Sequence, residues 1–184
     1  MTQWKTVLAQ GALAGSLASL LSTAVLAIAG RRQAGSAAAP INAVSHWYWG
    51  DEALRRQRPD LAHTAAGYLT HHLASTFWAT AYAALSRNRP AMRTTQGVLL
   101  GAVATSATAC FADYQLTPER FTPGFEHRLS SGAMAGVYAA FAVGLAAGAL
   151  LLRDQYREED PAEADELQAD EAPPVTRRVR AGHV

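Results

Sequence analysis

Four long stretches of this chain contain no Asp, Glu, Lys or Arg. They run from Thr6 to Gly30, from Thr64 to Ser86, from Thr94 to Ala112 and from Leu129 to Leu152. Each is close to the roughly 20 residues that an α-helix needs to cross the hydrocarbon core of a bilayer. A soluble amphipathic helix instead shows charged residues at regular intervals along the face that it turns to water. The pattern therefore predicts transmembrane helices at about 6–30, 62–86, 94–114 and 128–152.

The composition of these stretches leaves an alternative open. They are rich in Ala, Gly, Ser and Thr rather than in Leu and Ile, so a soluble helical bundle competes with a membrane protein. The overall charge also looks soluble, with 16 Lys and Arg against 15 Asp and Glu. However, residues 153–184 hold nine of the acids and five arginines. Without this segment, eleven basic residues face six acidic ones.

The charge and the prolines of residues 153–184 predict a disordered extension. The predicted fold class is accordingly all-α. It is an integral membrane bundle of four transmembrane helices within residues 1–152, with an interfacial loop after the first helix and a disordered C-terminal tail at 153–184. The first helix follows Lys5, as a signal peptide would, but its apolar run is about twice as long as the apolar region of a signal. Arg31 and Arg32 follow it directly, so we interpret it as an uncleaved membrane anchor.

The connections between the helices indicate an orientation. The second connection carries Arg87, Arg89 and Arg93 and is short, and short basic loops stay cytoplasmic. We therefore expect a multi-pass protein of the bacterial inner (cytoplasmic) membrane with both termini in the cytoplasm. The first connection, 31–62, does not fit this rule cleanly, because it carries five arginines on what would be the outer side.

The first connection also contains an aromatic cluster of the kind found at the level of lipid headgroups. The cluster is Trp47, Tyr48 and Trp49. Ile41 and Val44 precede it at helical spacing, which predicts a short helix lying in the membrane interface. The alternative is an ordinary loop with an apolar tip.

Small residues recur every four positions along the fourth predicted helix. They are Gly132, Gly136, Ala140, Gly144 and Gly148. In lipid, helices associate through close backbone approach and interhelical hydrogen bonds, so such a stripe predicts a tight helix contact. The contact lies within one chain, between protomers, or both. We therefore expect the protein to contact the lipid bilayer and to assemble into a homo-oligomer or a larger membrane complex.

The second predicted helix carries two adjacent histidines, His71 and His72. If the four helices run up and down, the ends of several elements meet on one side of the membrane and gather a polar set there. The set is His46, His63, His71, His72, Asp113, Glu119, Glu126 and His127. Ionisable groups within membrane helices often mark ion paths, proton relays or ligand sites. Structural hydrogen bonding, a proton or solute path, and a metal or haem site are three hypotheses for this set, although no spacing in it matches a zinc, haem or di-iron motif.

Catalytic and nucleic-acid signatures do not occur in the sequence. It has no GxSxG, no HExxH, no phosphate-cradling glycine loop and no basic aromatic surface. Cys110 is the single cysteine, which excludes an internal disulfide and a CxxC motif, and we interpret it as a packing residue. We expect no catalytic residue, no nucleic-acid partner and no cofactor.

Several segments of the second half resemble a known family. GYLTHHLASTFWATAYAAL, QGVLLGA and LTPERFTPGFEHRLS, followed by a last helix that ends in LLRD, are similar to the YagU-like family of uncharacterised bacterial inner-membrane proteins. The resemblance covers about residues 63 to 155, and the Trp-rich first connection has no counterpart in it. It implies a small inner-membrane protein without an assigned reaction, and it carries over no catalytic residue.

The sequence therefore favours a non-enzymatic small integral inner-membrane protein that acts as an oligomer or as an accessory subunit. Two alternatives are kept. One is a transporter or a proton- or ion-conducting protein that uses the histidine face of the second helix. The other is a metal- or haem-binding membrane subunit.

Overall fold

The computed structural model describes residues 3–87 and 89–159, and within them every regular element is helical. The chain divides into two compact units, Met1–Leu152 and Arg153–Val184. The helices are α1 (Gln3–Gln33), α2 (Ala39–Val44), α3 (His46–Trp49), α4 (Asp51–Arg55), α5 (Ala66–Ser86), α6 (Thr95–Phe111) and α7 (Ser131–Glu159). Shorter turns are π-helical at Leu61–Ala65 and Ala112–Leu116, and 3-10 at Pro90–Arg93, Glu119–Phe121 and Phe125–His127. The all-α prediction is confirmed for the described residues.

Three of the described helices are long and apolar enough to cross a membrane. The segments are Trp4–Gln33, Thr95–Leu116 and Ser131–Leu152. They support a membrane protein over a soluble bundle. The remaining long helix, α5, has the length of a span and no charged side chain, but His, Tyr, Thr and Ser lower its hydropathy.

The ends of the long helices differ from the predicted bounds. The first helix is longer than the predicted 6–30. The fourth begins at Ser131 rather than at 128, because Phe125–His127 form a separate turn. Ser130 then precedes the helix, and its Oγ accepts a hydrogen bond from the backbone N–H of Ala133 at 3.3 Å. A serine in this position satisfies a backbone donor that the first turn leaves open.

The predicted tail at 153–184 lies mostly outside the described residues. Its first part, 153–159, continues α7 as a helix to Glu159. The disordered extension at 153–184 stays a prediction. Residues 160–184 lie outside the described range.

Glycines on α1 bring α5 into close contact with it. A Cβ at Gly15 would lie 2.6 Å from the Cα of Thr76, and a Cβ at Gly11 would meet the side chain of Thr80. Because the higher number on α1 pairs with the lower number on α5, the two helices run antiparallel. Neither glycine leaves room for a side chain, so the α1–α5 distance depends on both.

The small-residue stripe of α7 contacts α1 along its second half. A Cβ at Gly144 would lie 2.5 Å from the Cα of Ala18, and Gly148 meets Ala14 in the same way. Gly136 makes an ordinary contact with a side chain of α1, whereas a Cβ at Gly132 would have nothing within 4 Å. The remaining member, Ala140, is half-buried. Close backbone contact within the chain thus occupies only the second half of the stripe.

The first connection folds into α2, α3 and α4, and α2 is buried inside the protein. Ile41 and Val44 are each 3% exposed and pack with Leu26 of α1 and Phe125. The short helix α2 therefore turns Ile41 and Val44 toward the protein and not toward lipid. Its apolar face is covered by the bundle itself, which the local spacing of residues did not indicate.

Large apolar side chains point outward on all four long helices. They include Leu13, Leu20 and Ile28 on α1, Leu69, Leu73 and Phe77 on α5, Leu99, Leu100 and Val103 on α6, and Val143 and Leu151 on α7. An exposed apolar surface of this extent is unusual for a soluble monomer and is typical of a surface in contact with lipid or with a partner.

Replacing Gly144 by Leu is expected to destabilise the protein, because the new side chain would displace the backbone of α1 at Ala18. Overpacking of this kind costs about 1–3 kcal/mol. The effect is measured as a lower melting temperature of the purified protein in mild detergent. Gly132→Leu is the matched control, because it lies in the same stripe but faces open space, and it should leave the melting temperature unchanged. A Gly144→Leu variant that melts like the wild type would contradict this packing, and a loss confined to Gly132→Leu would point to a second chain against the start of α7.

Candidate functional site

A cavity of about 170 Å³ lies between the long helices on the side of the first and third connections. Members of two apolar clusters line it, one cluster around Leu145 and one around Leu26. Its polar lining residues are Ser22, Thr70, His71, Ser75, Asp113, Thr117 and Tyr138. Its other aromatic lining residues are Trp47, Trp78, Phe121, Phe125 and Phe141. A mainly apolar cavity with a few convergent polar groups is the usual form of a small-molecule site.

His71 connects α5 to α1 at the wall of this cavity. Its Nε2 lies 2.8 Å from the Oγ of Ser22. The Ser22 hydroxyl has one proton, and its Oγ also lies 2.7 Å from the backbone oxygen of Ala18, which can only accept. The serine therefore donates to Ala18, and His71 Nε2 donates to the serine. This assigns the proton of a neutral His71 to Nε2.

Asp113 lies at the opposite part of the wall, in the π-helical turn after α6. Its Oδ2 accepts a hydrogen bond from the Oη of Tyr138 on α7 at 2.6 Å. Among the described residues, Tyr138 is the one hydrogen-bond donor to this carboxylate. A second bond joins the same two helices, since Ser106 Oγ donates to the backbone oxygen of Tyr138 at 2.7 Å. Tyr138 thus holds the carboxylate in place against the cavity.

The first and third connections meet over the cavity. Trp47 Nε1 donates to the backbone oxygen of Thr122 at 2.9 Å. The Trp47 ring also meets the ring of Phe121 edge to face, with centroids 5.6 Å apart. The neighbouring Tyr48 reaches α5, where its Oη lies 3.1 Å from Thr70 Oγ1. The aromatic cluster predicted to sit among lipid headgroups therefore partly covers the cavity through Trp47.

His63 belongs to the polar network that begins α5 and does not line the cavity. Its backbone N–H and ring Nδ1 lie 2.7 and 2.9 Å from Oδ1 of Asp60. Arg56 Nε donates to the other carboxylate oxygen at 2.8 Å. The backbone N–H of His63, and then the Arg56 guanidinium and the His63 ring, hold the pKa of the Asp60 carboxyl well below its usual range. Asp60 remains ionised there and caps the first turn leading into α5.

His46 is buried in the first connection and lies against the third. Its Nδ1 lies 2.9 Å from the backbone oxygen of Ala43 and so donates to it, while Nε2 is buried without a partner in the described residues. Gly124 approaches this ring so closely that a Cβ there would lie 2.7 Å from Nδ1. Gly124 also has a φ of 87°, a conformation that favours glycine. Both constraints indicate that His46 has a structural role.

The other predicted members of the set lie apart from the cavity. His72 stacks on Tyr68, with ring centroids 5.9 Å apart. Glu126 accepts a long hydrogen bond of 3.4 Å from Tyr114 Oη, and His127 is half-exposed at 3.9 Å from Glu126. Glu119 is exposed. The cavity wall thus includes only His71 and Asp113 of the candidates His46, His63, His71, His72, Asp113, Glu126 and His127.

Metal ligands do not converge in the described part of the chain. No group of three or more His, Cys, Asp or Glu side chains there is arranged to hold a metal ion. Cys110 is half-buried with a free thiol, on α6. The histidines instead face separate partners, because His71 and His72 differ by about 100° around α5.

Sequence reasoning missed the partner of His71. Its observed partner is Ser22 of α1, which was not among the predicted members of the polar set. A signal was present, because Ser22 follows Gly11 and Gly15 on the small-residue face of α1, which is the face that contacts α5. Tyr138 was also missed, although it holds Asp113.

Comparisons with protein-family models, with curated proteins and with solved structures found no match to this chain. The resemblance to the YagU-like family therefore stays a prediction.

Replacing Ser22 by Ala is expected to lower the free energy of unfolding by about 1–2 kcal/mol, because His71 loses its acceptor within the bundle. Ser16→Ala is the matched control, since Ser16 lies on the same helix and bonds only its own helix backbone at Ala12. A double-mutant cycle with His71→Phe isolates the pair in thermal unfolding experiments. Additive effects of Ser22→Ala and His71→Phe would show that the two side chains do not interact.

Proposed function

We propose that this chain is a four-span integral protein of the bacterial inner membrane that binds a small solute and acts without catalysing a reaction. The observation that carries the proposal is the cavity between the long helices, with its aromatic walls and few convergent polar groups. The side chains of His71 and Asp113 are already held by hydrogen bonds to Ser22 and Tyr138. Such an arrangement is suited to binding more than to nucleophilic chemistry.

The packing of α5 supports its assignment as the fourth span. α5 contacts α1 at Gly11 and Gly15 and reaches Ser22 through His71. These three positions lie well inside the apolar segment Trp4–Gln33. If α1 crosses the bilayer, α5 therefore lies at the same depth, and its polar side chains face the bundle interior. Its outward face carries Leu and Phe side chains, as contact with lipid requires.

The arginines of the second connection support an orientation with the cavity in the outer half of the membrane. Arg87 and Arg89 precede α6 on the side opposite the cavity and would stay in the cytoplasm. Both termini would then be cytoplasmic. The close contacts of α1 with α5 and α7, at Gly11, Gly15 and Gly148, lie below the cavity on the cytoplasmic side. A continuous conduit for protons or ions along α5 would require these contacts to open, so solute binding is favoured over conduction.

Assembly into an oligomer or a larger membrane complex remains a proposal. The part of the α7 stripe that is free for such a contact is its start, where Gly132 faces open space. Gly144 and Gly148 are occupied by α1 of the same chain. The lipid bilayer is the partner that the exposed apolar surface supports directly.

The number of spans is testable by labelling single cysteines. In a Cys110→Ala background, we expect Arg55→Cys and Glu119→Cys to react with a membrane-impermeant maleimide added to spheroplasts. Arg89→Cys should react only after the membrane is permeabilised. If α5 did not cross, Arg55→Cys and Arg89→Cys would label from the same side and Glu119→Cys from the other, which would contradict the four-span proposal.

Solute binding is testable by filling the cavity. Ala109 lies on α6 in the cavity wall, and Ala109→Leu should occupy part of the space. Small water-soluble solutes that raise the melting temperature of the wild-type protein in detergent should lose this effect in Ala109→Leu. Ala104→Leu is the control, because Ala104 is exposed on the same helix. If every solute acts equally on both variants, the cavity is not a binding site.

A further inference from the structure

The cavity combines aromatic surfaces with a carboxylate. We propose that its ligand is a small organic cation of the methylated-ammonium class, with its charge at Asp113. This inference rests on the proposed function and adds the chemical class of the solute.

Aromatic rings surround the space that a ligand would occupy. Trp78 and Phe141 line it from α5 and α7, and Trp47, Phe121 and Phe125 line it from the connections. Rings attract cations to their faces, and Trp does so most strongly. Several rings around one space form the kind of enclosure that recognises quaternary ammonium groups.

Asp113 supplies a negative charge that the protein does not neutralise by an ion pair. No Lys, Arg or His nitrogen of the described residues is found within 4.0 Å of its carboxylate. Its partner Tyr138 is a hydrogen-bond donor, which favours a carboxylate but brings no positive charge. A cationic ligand would supply the missing countercharge, because charged groups at membrane depth are normally paired.

The donor direction of His71 agrees with a cationic ligand. Its Nε2 proton is directed to Ser22 and not into the cavity. The Tyr138 hydroxyl is likewise engaged, because it donates to Asp113. One carboxylate and several ring faces are sufficient to bind a methylated ammonium group, without further hydrogen-bonding groups in the wall.

The volume of the cavity limits the size of the cation. About 170 Å³ is close to the engineered cavity of about 150 Å³ that holds a benzene molecule. Tetramethylammonium and the trimethylammonium head of choline are of similar size to benzene. The same head occurs on free solutes and on choline lipids, so both sources share the chemistry.

The test compares choline with its neutral isostere 3,3-dimethylbutan-1-ol, in which a carbon replaces the charged nitrogen. Binding to the full chain in a maltoside detergent is measured by calorimetry, with sodium chloride as the salt control. We expect choline and tetramethylammonium to bind at least about tenfold more tightly than the isostere. Asp113→Asn should weaken this preference and keep binding of the isostere, which also shows that the variant is folded. Glu119→Gln, at an exposed carboxylate, should change neither affinity.

The outcomes separate the two proposals. Binding of the isostere with equal or higher affinity than choline would overturn the cation inference and leave solute binding intact. If neither compound binds, the cation inference fails, and the comparison of Ala109→Leu with Ala104→Leu decides separately whether the cavity binds any solute. If choline lipid in nanodiscs abolishes choline binding and a phosphatidylglycerol nanodisc does not, the source of the head group is the lipid. Choline binding that neither lipid changes would show that the natural ligand is a free solute.

Discussion

Close backbone approach to α1 is the constraint on which the rest of this structure depends. In lipid, apolar side chains gain little by leaving hydrocarbon for one another, so helices need short backbone distances and hydrogen bonds to associate. α1 provides both on neighbouring faces, with Gly11 and Gly15 toward α5 and with Ala14 and Ala18 toward α7. Because these contacts lie in one half of α1, the helices are closest there. The cavity lies beyond them, at the level of Ser22.

Several polar side chains in the bundle are held by partners on other helices, whereas Thr80, Thr105 and Thr108 bond the backbone of their own helix. His71 bonds Ser22, Ser106 bonds the Tyr138 backbone, and Tyr138 bonds Asp113. An unpaired polar group in hydrocarbon costs several kcal/mol, so each of these bonds also specifies which helices are neighbours. The bonds join α1 to α5 and α6 to α7, while the glycine contacts join α1 to both α5 and α7.

Much of the fold could be predicted from local patterns, but the site could only be predicted in part. The absence of charge predicted the long helices, because a span must exclude charged side chains along its whole length. His71 and Asp113 were both among the candidates, since ionisable residues in apolar stretches stand out. The predicted polar set was too broad, because the sequence does not show that His63 binds Asp60 or that His46 lies against Gly124. The buried α2 was missed because Ile41 and Val44 look the same whether lipid or protein covers them.

The packing of α5 on α1 also has a consequence for how the protein is made. α5 is less hydropathic than the three apolar segments, and His71 needs an acceptor once it leaves water. α1 is synthesised first and already carries Ser22 and the glycine face when α5 emerges from the ribosome. If α5 crosses the membrane as proposed, we expect its insertion to be assisted by α1, so that biogenesis in the membrane and folding are one coupled process for this helix.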